Sequence, residues 1–134
     1  MEWTDKLPKP SQIIRTKVKF YHHYGVFVSE DEVIQFGLPD DPGRPSEQIK
    51  VLATDINTFL FGGELETAEY TNEEKKKMRT PDEIIKIARS RIGEGDYDIL
   101  HNNCEHFVNS CVFGEKRSSF LDGVREKIRK QLGK

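Results

Sequence analysis

Cysteine is scarce, with two in 134 residues, which is too few for a disulfide scaffold. Cys104 and Cys111 do not suit even one bridge. If their stretch is helical, seven residues at about 1.5 Å of rise each hold the Cα atoms roughly 10 Å apart, beyond the reach of a disulfide of about 7 Å. Two free thiols fit a reducing compartment. Long apolar runs are missing too, and nothing approaches the roughly 18 residues of a membrane span. The start, MEWTDKLPKP, has acid and proline where a signal peptide has a basic start and an apolar run. A soluble, cytoplasmic protein is the expectation. An excess of positive charge is also lacking: the net charge of −2 gives no field for nucleic acid, so none is expected as a partner.

What is present suits one domain with one core. Residues 1–12 hold two prolines and mixed charges and read as an extended arm. Ile13 to Val28 is rich in Val, Ile, Phe and Tyr and reads as one strand, with Val18, Phe20, His22, Tyr24, Val26 and Val28 on one face and His23, Gly25 and Phe27 on the other. Ser29-Glu30-Asp31 turns the chain into a second strand, Glu32 to Phe36. Pro39 to Pro45 is a loop and residues 47–53 are a further strand. Thr54 or Asp55 caps a short helix, INTFLF, that stops at Gly62-Gly63. Glu64 to Tyr70 is another candidate strand, and Asn72 to Arg79 is a solvated charge run. Thr80 and Glu83 form a capping box around Pro81, and Ile84, Ile85, Ala88 and Ile92 supply a buried stripe that ends at Gly93. This is an α+β pattern: an antiparallel sheet packed against helices.

The stretch NNCEHFVNSCVFG at 102–114 carries the chemistry. Asn103 is a good N-cap, and Cys104, Phe107, Val108, Cys111 and Val112 recur at helical spacing. Cys111 belongs to the core side, whereas Cys104 sits in the first turn. There, unpaired N–H groups and the helix dipole favour a thiolate, so its pKa is expected to fall below the free value of about 8.5. The same N–H groups suit an oxyanion.

A nucleophilic cysteine needs a base. His106 follows Cys104 by two positions, is rotated by roughly 200° on a helix, and is expected to serve local packing. His101 depends on a loop. His22 and His23 are adjacent in a strand and point to opposite faces. His22 lies with the apolar stripe and reads as a satisfied core histidine. His23 shares its face with Gly25, where a missing side chain leaves room for another group, and is the better base. Gln35 is the polar residue of the second strand. If Gly25 pairs with Gln35 across a three-residue loop, His23 and Gln35 are diagonal neighbours on one face, about 7–8 Å apart; with an odd register Gln35 faces away.

At these residues the sequence resembles the lecithin:retinol acyltransferase family, within the larger NlpC-like group of permuted papain-like folds. The matching stretches are HYGVFVSEDEVIQF at 23–36 and RIGEGDYDILHNNCEHFVNSCVFG at 91–114, with KVLATDINTFLFGGELETAEY similar in layout between them. The resemblance implies that Cys104 is the nucleophile and His23 the base, acting on an acyl-bearing lipid such as a phospholipid through a thioester, as acyltransferase or hydrolase. The family's third polar position falls on Gln35, where those acyltransferases usually have histidine. Tyr24, Asn103 and Glu105 flank the pair in the chain and are the candidates for substrate binding or the oxyanion. No metal or organic cofactor is implied. The domain is expected over 13–117. Over 118–134, Phe120, Leu121, Val124, Ile128 and Leu132 alternate with Arg125, Lys127, Arg129 and Lys130 as a basic amphipathic helix, docked on the domain or lying on an anionic lipid surface.

Three other classes compete with the acyl-lipid reading. An NlpC-type peptidase or amidase uses the same pair. A metal-binding module would draw on His22, His23, His101, Cys104 and His106, although HNNC and CEH match no usual zinc spacing. A catalytically silent interaction domain is suggested by Gln35.

Overall fold

The computed structural model of the protein describes residues 1–40, 44–99 and 101–114; the helix expected over 118–134 lies outside the described residues. Six strands form one sheet in the order β1-β6-β2-β3-β4-β5. They are β1 (Glu2–Thr4), β2 (Ile13–Val18), β3 (Tyr21–Ser29), β4 (Glu32–Phe36), β5 (Val51–Thr54) and β6 (Glu66–Glu69), and each pairing is antiparallel. Among the described residues four α-helices complete the α+β architecture: α1 (Ile56–Leu60), α2 (Asn72–Lys77), α3 (Pro81–Ser90) and α4 (Cys104–Phe113).

Two expectations about the strands change. Ile13 to Val28 is a hairpin rather than one strand, turning between Val18 and Tyr21, which pair with each other. Lys19 takes the left-handed conformation there (φ 55°), and Phe20 at the tip is 98% exposed. This turn moves Val18 to the opposite face from His22, because the pairing joins odd-numbered residues of β2 to even-numbered residues of β3. The extended arm, for its part, supplies β1, which closes the sheet edge by pairing with β6.

The β3–β4 hairpin has a two-residue turn instead of the expected three-residue loop. A bulge falls between Phe27 and Ser29, so the register changes from Ser29↔Glu32 near the turn to Gly25↔Gln35 further along. The extra residue restores the even register that an unbulged two-residue turn would have lost.

Apolar residues cover both faces. On one face Ile13, Tyr24, Val26, Ile34 and Phe36 pack with Cys104, Phe107, Val108, Cys111 and Val112 of α4 and with Ile84 and Ala88 of α3. On the other, Ile14, Phe27 and Val33 pack with Phe59 of α1. Capping boxes start α2 (Thr71 with Glu74), α3 (Thr80 with Glu83) and α4 (Asn103 with His106). In α3 the inward stripe is Ile84, Ile87 and Ala88, while Ile92 falls beyond the helix and is exposed. Arg79 closes the far end of α4 by donating to the carbonyls of Ser110 (2.6 Å) and Cys111 (3.1 Å), where a cation also meets the negative end of the helix dipole.

Candidate active site

The site is built where β3 and β4 part. Their ladder begins at Gly25↔Gln35; beyond it, β3 runs on against β2 alone while Phe36 stays paired with Val51 of β5. Phe27 exchanges its backbone bonds with the Ser11–Gln12 side. By alternation, the Tyr24 amide therefore points toward β4, at a place where the β3–β4 ladder offers it no partner.

The Cys104 thiol takes that bond. Cys104 opens α4 and is 7% exposed. Backbone N–H groups of Tyr24 and Glu105 approach its sulfur, and with its own amide they favour the charged form. The nucleophile candidate thus rests on the peptide that joins His23 to Tyr24.

His23 leaves the same strand toward the other face, where it is buried. Its Nε2 lies 2.7 Å from Gln35 Oε1, so the diagonal pair meets directly. Gln35 Nε2 donates to Thr54 Oγ1 at 2.6 Å, and the Thr54 hydroxyl donates to the Asp55 carbonyl at 2.9 Å. The room beside Gly25 is filled by Phe59 of α1 rather than by a helix N-terminus. A Cβ on Gly25 would stand 2.7 Å from Phe59 Cε1, and the Phe59 ring packs on the His23 imidazole with centroids 5.2 Å apart. Thr54 and Phe59 thus join the candidate site without a signal in the sequence that marked them for it. Thr54 carried only a capping signal, and the cap of α1 is Asp55, which accepts from the Thr58 amide.

The expected drop in thiol pKa does not occur. Burial pushes Cys104 up to about 11, and the Glu105 carboxylate adds to the rise, outweighing the three amides that pull the other way. A desolvated sulfur loses more as an anion than one helix terminus returns. Tyr24 is pushed up to about 12, first by burial and then by Glu105. Its phenol stays protonated at neutral pH.

The remaining candidates fall as follows. Asn103 spends its side chain locally: Oδ1 accepts from the His106 amide and Nδ2 donates to the Ile99 carbonyl. His106 is buried and its Nδ1 accepts from the Asn103 amide, making it the reciprocal member of the cap. His101 is exposed, 3.2 Å from Asp98. His22 is half-buried instead of being a core histidine. It stands 3.7 Å from Glu66, and its pKa is lowered by burial and by Arg15. It lines a groove of about 610 Å³ with Trp3, Lys17, Lys19, Glu64 and Glu66. The Tyr24 ring packs beside two of these residues, with centroids 5.9 Å from Trp3 and 6.4 Å from His22.

The profile of the family described as Lecithin retinol acyltransferase matches residues 6–117. The chain belongs to this family. Among curated members, the chain is 28% identical to bovine (Bos taurus) Lecithin retinol acyltransferase, over 80% of this chain and 55% of the relative. It is 29% identical to the mouse (Mus musculus) protein of that name, over 81% and 58%. Human (Homo sapiens) Phospholipase A and acyltransferase 3 is 27% identical, over 90% of this chain and 78% of its own length. The chain spans a little over half the length of the Lecithin retinol acyltransferase relatives. In this member of the family, no helix among the described residues is long and apolar enough to cross a membrane.

Proposed function

We propose that the protein is an acyltransferase or acyl hydrolase of a phospholipid-like ester, with Cys104 as nucleophile and His23 as general base. The observation that carries this reading is the thiol seated on the His23–Tyr24 peptide at the head of α4, in a chain whose relatives are named for acyl transfer and phospholipase A activity.

Because Gln35 offers an oxygen to His23 Nε2, that nitrogen carries the proton and Nδ1 holds the basic lone pair. In the first half-reaction the thiol proton passes to Nδ1 through the opening where β3 and β4 part, as sulfur adds to the ester carbonyl carbon. The amides of Tyr24, Cys104 and Glu105, which converge on the sulfur, are the donors at hand for the oxyanion. Collapse breaks the C–O bond, and the departing alkoxide takes the proton from the imidazolium, leaving a thioester on Cys104. Water, or an amine or alcohol acceptor, then adds with His23 again taking its proton, and the thiol is restored. A mass increase of one acyl group on Cys104 after incubation with a short-chain phospholipid tests the assignment; an adduct on any other residue overturns it.

A thiol held at about 11 gives up its proton during attack instead of resting as a thiolate. Alkylation of Cys104 by iodoacetamide, located by peptide mapping, is accordingly expected to climb with pH toward that value. A plateau at neutral pH would reveal a preformed thiolate–imidazolium pair. Stability responds to the same shift. The folded pKa lies above the ordinary 9.0, so the stability tied to the neutral thiol is complete below pH 9.0 and is lost as pH rises toward 11.

Contact with a lipid surface is the natural complement of such a substrate. Phe20 stands 98% exposed at the β2–β3 tip, next to Lys19 and close to Lys17, both on the rim of the groove. Burying one Phe in lipid contributes ~1.5–3 kcal/mol. Phe20→Ser is therefore expected to weaken sedimentation with phosphatidylcholine–phosphatidylserine vesicles by about tenfold or more. Equal binding of the two proteins would remove this tip from the contact.

A further inference from the structure

We infer that Thr54 is a positioning residue that selects the tautomer of His23, an inference that rests on the general-base reading above. Hydrogen-bond polarity makes the selection. The Thr54 hydroxyl has a single proton, and that proton goes to the Asp55 carbonyl at 2.9 Å. Toward Gln35 the hydroxyl can then only accept, which turns the Gln35 NH₂ to Thr54 at 2.6 Å. The amide oxygen must consequently face His23 at 2.7 Å. An amide oxygen cannot donate, so His23 Nε2 carries the proton and the lone pair is left on Nδ1.

Reversing the first bond reverses the others. An amide flipped by half a turn would present its NH₂ to His23, draw the lone pair onto Nε2 and place the ring proton on Nδ1, where it blocks the acceptance of a thiol proton. Amide oxygen and nitrogen are close to isosteric, so packing alone does not choose between these states. A charged or imidazole side chain at position 35 would not pose this choice in the same form; a glutamine does, and Thr54 resolves it. The location suits the task. Thr54 closes β5, directly paired with Val33 of β4, and Asp55 is the N-cap of α1, the helix whose Phe59 packs on the same imidazole.

Two substitutions separate this role from a structural one. Thr54→Val keeps the β-branched shape that the strand favours but cannot accept a hydrogen bond, whereas Thr54→Ser retains the hydroxyl. Thr54→Val is expected to lower kcat by about tenfold, the equivalent of one hydrogen bond, with KM little changed and with the pH–rate profile altered on its acidic limb. Thr54→Ser should recover most of the loss. In ¹⁵N-labelled protein, the His23 ring of the parent should report Nε2–H, and Thr54→Val should report a mixture of tautomers or Nδ1–H. The NMR readout does not depend on turnover. A parent with the Nε2–H tautomer that takes no acyl group would sink the enzymatic assignment and leave the relay standing. A Thr54→Val protein with unchanged tautomer, or a loss that Ser does not rescue, would overturn the relay itself.

Discussion

Cys104→Ala is expected to lower acyl transfer or hydrolysis by ~10⁴-fold or more, the scale seen when a nucleophile is removed from a covalent mechanism, and to take up no acyl group. The fold should survive. Alanine is the best helix former, and the cap of α4 belongs to Asn103 and His106. The sulfur's removal leaves the Tyr24 amide without its acceptor, an expected cost of ~1–3 kcal/mol. Circular dichroism and the thermal midpoint check that part, and intact-protein mass after exposure to a short-chain phospholipid checks the chemistry. Turnover within tenfold of the parent would remove Cys104 from the mechanism. The companion His23→Ala should fall almost as far and should not add to the loss in the double variant, since groups that act on one proton fail together.

Strand β3 does two jobs because of where its partner β4 leaves it. Alternation sends the His23 side chain to the face of Gln35 and Phe59, while the next amide, no longer engaged by β4, holds the thiol that α4 brings from the opposite face. Neither helix nor strand alone makes this arrangement. It needs a strand pair that ends its ladder one residue before the site and a helix whose first residue is a cysteine.

Much of this was legible in the residues. The boxes at Thr80–Glu83 and Asn103–His106 mark helix starts by local chemistry, although histidine in the second box is recognisable only once its Nδ1 is seen accepting from the Asn103 amide. The meeting of His23 and Gln35 was legible as one of two registers, but the bulge that selects it leaves no residue signature in Phe27-Val28-Ser29. The β2–β3 turn escaped notice for a related reason. Val18-Lys19-Phe20-Tyr21 contains no Gly, Pro, Asn or Asp, so the usual punctuation of a turn is missing, and the apolar alternation runs through it. Burial of Cys104 was the hardest feature to foresee. A helix N-terminus can be read from the chain, whereas desolvation by Tyr24, Phe107 and the sheet is a property of packing.

Gly25 is where packing and chemistry share one atom's worth of space, and Gly25→Ala tests both. The new Cβ would lie 2.7 Å from Phe59 Cε1 and 2.9 Å from Val33 Cγ1, closer than carbon atoms pack. Phe59 and Val33 are both fully buried, so neither can swing into solvent and the ring must shift within a close-packed core. Such overpacking costs ~1–3 kcal/mol, enough to lower the thermal midpoint by several degrees in a domain of this size. The displaced ring is the one packed on His23, so kcat should fall along with stability. Phe59→Leu removes the clashing edge. On its own it is expected to destabilise by loss of buried surface, but in the double variant it should return part of the stability lost to Gly25→Ala, giving a favourable coupling of ~1 kcal/mol or more in the cycle. Additive losses would mean that the clash is relieved elsewhere, through Val33 or the backbone, and that Phe59 does not set the position of the imidazole.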